Sequence, residues 1–155
     1  MEGVLLECPR AWERLLPPGI RRAETAVELE GRDWDLLALT VGGCAAVAER
    51  KVQCRILLLP GSWEQPLPPG LTAETVISYG LSARDSLTLS SLTEPVLCIQ
   101  RQLPRPDGGQ VEPQEFLLPV LPGQKTDRRK CFCPCWAYGC CRSHWTGIPL
   151  HGKLI

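Results

Sequence analysis

A chain of 155 residues holds one domain that buries roughly 70% of its unfolded surface, and it is too short for two comfortable ones. Its 17 basic and 17 acidic residues balance, but residues 125–155 carry six basic side chains against Asp127 alone, leaving the first 124 residues at −5. Such a body repels phosphate-rich nucleic acid. No stretch approaches the ~18 consecutive apolar residues of a membrane span, and Met1 to Glu7 lacks a basic leader, so the expected location is the cytoplasm, with neither nucleic acid nor membrane as partner.

In chain order, Val4 to Cys8 is an apolar run, Arg10 to Leu16 offers one or two helical turns that Pro17-Pro18-Gly19 would stop, and Ala23 to Leu29 alternates enough for a short strand. Asp35 to Val41 is a compact apolar run, and Gly42-Gly43 follows it. Cys44 to Lys51 then has the alanine content and terminal basic residues of a short helix. Arg55 to Leu59 completes a short βαβ unit, which implies a parallel sheet. Thr75 to Tyr79 adds a strand whose Gly80 permits a turn.

After Asp85 the pattern becomes a meander: Ser86 to Ser90, Val96 to Leu103 and Val111 to Leu118, the last two joined by the hairpin signal Asp107-Gly108-Gly109. The expected fold is α/β, a short parallel Rossmann-like sheet over residues 35–80 extended by antiparallel strands over 86–118. Residues 1–122 form one domain, and 123–155 an irregular or disordered basic tail rich in cysteine.

Val76-Ile77-Ser78-Tyr79-Gly80, Asp85, the Leu87-Thr88-Leu89 strand and the pair ending in Phe116 to Val120 carry a family likeness. Residues 56–120 resemble the later half of the central domain of Mur ligases, where a strand ending in Tyr-Gly or Phe-Gly leads to an Ala-Asp element and a closing meander. The resemblance implies the architecture of a nucleotide-binding half domain. Mur ligases join an amino acid to a nucleotide-linked acyl group with ATP and magnesium, using groups upstream of this region. Nothing in this sequence occupies those positions, and Leu58 to Ser62 offers no carboxylates where the family often has an Asn-x-x-Asp-Asp element. The architecture is implied without the activity.

Candidate ligand contacts are therefore Gly42, Gly43, Cys44, Tyr79, Gly80 and Asp85. Gly42-Gly43 between strand and helix exposes N–H groups suited to an anion, although a tight turn explains them equally well. Cys44 at that helix start would be a reactive thiolate if its pKa were lowered, but it has no nearby histidine and reads better as a packed, inert thiol. Gly147 to Leu154 imitates a phosphate loop and fails on context: Leu154 replaces the Ser or Thr that would hold magnesium, and Pro149 interrupts it. Gln100, Arg101 and Glu112 to Glu115 read as the solvated side of an antiparallel sheet.

Cys131, Cys133, Cys135, Cys140, Cys141 and His144 supply zinc-type donors in spacings unlike paired two-residue knuckles. A disulfide framework fits the expected compartment poorly. The reading with most weight follows from the resemblance, since Mur ligases continue after the meander into a leucine-rich helix. Leucine codons CTG read one base out of frame become TGC, cysteine, or TGG, tryptophan, so the sequence after about residue 123 looks like such a helix out of frame. The expected function is a noncatalytic, Mur-ligase-like half domain acting through an unknown protein or small ligand, with no cofactor. The alternative is a zinc or redox protein using the tail cysteines.

Overall fold

The computed structural model describes residues 2–10, 13, 16–90, 96–104 and 109–117. The cysteine-rich tail, with its candidate zinc donors and proposed frameshift, lies outside the described residues, as does Gly147 to Leu154.

Among the described residues ten strands form: β1 (Gly3–Leu6), β2 (Ile20–Ala23), β3 (Asp33–Leu39), β4 (Val52–Pro60), β5 (Leu71–Gly80), β6 (Leu87–Leu89), β7 (Val96–Ile99), β8 (Leu103–Pro104), β9 (Gln110–Val111) and β10 (Gln114–Leu117). Eight of them make one sheet in the order β10-β7-β6-β5-β4-β3-β1-β2, and β8 pairs with β9 in a separate ribbon. From β2 to β6 every neighbouring pair is parallel, whereas β6–β7 and β7–β10 are antiparallel. Arg55 to Leu59 and Thr75 to Tyr79 are indeed parallel neighbours, and a meander follows. The parallel part is wider than the expected 35–80 because β1 inserts between β2 and β3 and adds two strands.

Burial on both faces explains the near-continuous apolar runs of β3 and β4. Leu36, Ala38, Ile56, Leu58, Ile77 and Tyr79 pack into one cluster, and Leu37, Leu39 and Leu57 into the other, as alternation along a strand requires. The first cluster is closed by Cys8 and Leu16 from the β1–β2 connection and by Leu103 and Val111 from the ribbon. The second is closed by Ala26 and Leu29 of a 3-10 helix (Ala26–Leu29), by Cys44, Val47 and partly buried Ala46, and by Trp63 from the loop after β4. Trp34 is 1% exposed and donates its indole N–H to the Leu29 carbonyl at 3.0 Å, tying β3 to the 3-10 helix.

One irregularity crosses the three central strands together. Pairing runs Trp34–Cys54–Ala73 and resumes at Leu36–Ile56–Thr75, skipping Asp35, Arg55 and Glu74 at the same level. Trp34 and Leu36, two residues apart, accordingly belong to opposite clusters. The skipped side chains meet each other: Arg55 lies 3.6 Å from Asp35 and 3.9 Å from Glu74. The pleat thus shifts by one residue without any slip in register.

Several sequence expectations are corrected by local chemistry. Ala23 to Leu29 is the end of β2 plus the 3-10 helix, because the Glu28 carboxylate accepts from the Thr25 N–H at 3.0 Å and the Glu24 N–H at 2.8 Å and folds the segment into a turn. The expected helix over 44–51 is α1 (Val41–Ala46), started by Thr40, whose Oγ1 accepts from the Gly43 N–H at 3.0 Å. No basic residue sits in its last turn, and Arg50 instead pairs with Glu30 at 3.2 Å. Val96 to Leu103 and Val111 to Leu118 each divide, into β7 and β8 and into β9 and β10, so that Leu103 and Val111 can turn onto the first cluster. Residues 105–108 of the expected hairpin lie outside the described residues, yet the strands flanking them pair antiparallel.

Leu57 is fully buried in the ladder between β3 and β5. Leu57→Ala is expected to lower unfolding stability by about 2–5 kcal/mol, whereas Leu67→Ala, in a partly exposed loop, should change it by less than about 1 kcal/mol. Urea denaturation checks both, and equal effects would contradict the assignment of the core.

Candidate functional site

In an open parallel sheet, ligands bind outside the carboxyl ends of the strands, at the point where successive connections leave in opposite directions. Here that point lies between β1 and β3, since the chain goes from β1 outward to β2 and then returns past β1 to β3 before moving on to β4. Gly42, Gly43 and Cys44 begin α1 directly after β3, so three of the sequence-predicted residues fall at this crevice. Tyr79 and Gly80 end β5 and Asp85 lies in the following loop, which places the other three at the same end of the sheet. The two groups are joined by one contact: the Tyr79 hydroxyl reaches past β4 and donates to the Leu39 carbonyl at 2.7 Å.

The chain itself reaches into this crevice. Glu7 follows β1 with a φ of +52°, a conformation unusual for a residue with a side chain. Thr40 holds it there, donating its hydroxyl to the Glu7 carbonyl at 2.9 Å while the same oxygen caps α1. The Glu7 carboxylate lies over Gly42, where an added Cβ would come within 2.8 Å of Oε2, and a Cβ on Gly43 would press on the Leu6 carbonyl at 3.0 Å. Close approach, more than a demanding φ, is what these glycines supply. A carboxylate beside the opening turn of α1 also complements its exposed N–H groups.

A second filled place lies one strand further along. Asp85 is only 4% exposed, and its carboxylate occupies the gap between Gly61, after β4, and Gly80, at the end of β5. A Cβ on either glycine would collide with it. Its Oδ2 accepts from the Ser82 N–H at 3.1 Å, and the Asp85 N–H returns to the Ser82 carbonyl at 3.0 Å, so the loop closes on itself. Ser86 donates its N–H to Ser78 Oγ at 3.0 Å, fastening the loop to β5. Gly80 keeps an ordinary negative φ, so the expected turning role is corrected: the glycine is there to let a carboxylate in.

The meander stands beside this end as a wall. β6 pairs with β5 only through Tyr79–Leu87 and Gly80–Thr88, so it begins where β5 stops and carries on in the same direction. Gln100, Arg101, Glu112, Gln114 and Glu115 are exposed, as expected for its solvated side, and Gln102 donates to Glu112 at 2.7 Å. The residues missed from sequence are Glu7, Thr40 and Gly61. Pro60-Gly61 carried a turn signal, but nothing local announces that Glu7 takes a left-handed conformation or that Thr40 latches it.

The described cysteines are packed. Cys8, Cys44, Cys54 and Cys98 are free thiols and buried. Burial pushes the Cys44 thiol up to about 11, and burial with the added field of Glu74 pushes Cys54 up to about 12. At neutral pH both are therefore thiols, and the nucleophile reading of Cys44 has no electrostatic support. Among the described residues no group of three or more His, Cys, Asp or Glu is placed to hold a metal ion, and no helix is long and apolar enough to cross a membrane.

A shallow cavity of about 470 Å³ opens at the other end of the sheet, where Asp33, Gln53, Arg55, Thr72 and Glu74 line the level of the skipped pairs. No family model, curated protein or solved structure matches this chain.

Two predictions follow from this geometry. Gly61→Ala and Gly80→Ala should each destabilise by about 1–3 kcal/mol, and the Gly80→Ala penalty should shrink by at least about 1 kcal/mol in an Asp85→Ala background. A double-mutant cycle in urea measures it, and strict additivity would show that the carboxylate is not what the glycine accommodates. For the thiols, the unfolded chain ionises near pH 9 and the folded chain only near 11 to 12, so the unfolded state binds fewer protons between these values. The contribution of these two thiols to stability should be level below pH 8 and fall between pH 9 and 11, by on the order of 1 kcal/mol per pH unit per thiol. Cys44→Ala together with Cys54→Ala should flatten that slope in urea titrations at stepped pH; an unchanged slope would assign the loss to other groups.

Proposed function

We propose that this chain is a noncatalytic, Mur-ligase-like half domain, a Rossmann-like parallel sheet closed by a meander, which acts in the cytoplasm through contact with a protein or a small ligand. The observation that carries this reading is the pair of carboxylates at the carboxyl end of the sheet. Glu7 lies over the start of α1 and Asp85 between Gly61 and Gly80, the two turns at which this architecture would present backbone N–H groups to phosphate. A polyphosphate entering there would meet two carboxyl groups of the protein's own, one of them buried. The Asp85 carboxylate also serves stability, closing a turn by accepting from the Ser82 N–H. The family's architecture is thus turned to holding the sheet end shut.

The apolar surface left on the described part favours contact as the mode of action. Val41, Val76 and Leu81 are 53%, 44% and 51% exposed, on α1, β5 and the loop after it, where no helix follows β5 before β6 begins. In parallel sheets both faces are ordinarily covered.

Purified protein with 1 mM ATP and magnesium is expected to show no rise in melting temperature and no release of phosphate above a buffer control. A rise of several degrees or measurable turnover would overturn the noncatalytic reading. Zinc bound one to one after purification under reducing conditions would favour the alternative, a metal site in the tail.

A further inference from the structure

We draw no further inference here: the strongest candidate, the cavity at the amino ends of β3, β4 and β5 lined by Asp33, Gln53, Arg55, Thr72 and Glu74, is a cluster of carboxylates around an arginine with which two of its neighbours already pair, and no second feature among the described residues points to a ligand there.

Discussion

The structure depends on the parallel ladder of β3, β4 and β5, held in one register from Trp34–Cys54–Ala73 to Ala38–Leu58–Ile77, with β3 and β4 buried on both faces over their apolar runs. Parallel strands cannot be joined by tight hairpins, so each link must cross a face of the sheet, and the apolar cover it brings stabilises the ladder in return. Among the described residues the covers are small: a single-turn 3-10 helix, a six-residue α-helix, a tryptophan from a loop, the β1–β2 connection and a two-stranded ribbon. Large apolar strand residues compensate, since Leu36, Leu37, Leu39, Leu57, Leu58 and Ile77 are almost wholly removed from water. At ~25 cal/mol per Å², each such side chain contributes on the order of 2 kcal/mol.

Because the strands end together, the ladder also decides what happens at the carboxyl end. Thr40, Gly61 and Gly80 arrive side by side, and their turns lie within reach of Tyr79, Glu7 and Asp85. Small residues are required at Gly42, Gly61 and Gly80 because a carboxylate packs against each, so backbone economy and electrostatics converge on one arrangement. Two carboxyl groups of the chain thus close this end of the sheet.

Much of the ladder was legible in the sequence, for a physical reason: a strand buried on both faces reads as a continuous apolar run, as Ile56 to Leu59 does, and Val76 to Tyr79, though exposed at Val76, stands between clear turn residues. The edge was harder. Ile20–Ala23 carries two arginines and shows no alternation, because as an outer strand it needs to bury only its end residues. Thr25-x-x-Glu28 is a readable capping signature, while the alternation over Ala23 to Leu29 points instead to a strand. The shift at Asp35, Arg55 and Glu74 defeats period-2 reasoning altogether, since the residues on either side of it exchange faces. At the site, Gly80 and Asp85 stood out as a motif while their contact did not, because a collision between a glycine and a carboxylate five positions away depends on how the loop folds back.

The most direct test of this account is a set of proton–proton contacts measured by NMR on labelled protein. Parallel pairing of β4 with β5 and an Asp85 seated between the two glycines will give parallel-type contacts linking Leu57 with Val76 and Leu58 with Ile77, together with contacts from the Asp85 Cβ protons to the α-protons of both Gly61 and Gly80. Close α-proton to α-proton contacts between β4 and β5, the mark of antiparallel pairing, or an Asp85 side chain remote from both glycines, would contradict it.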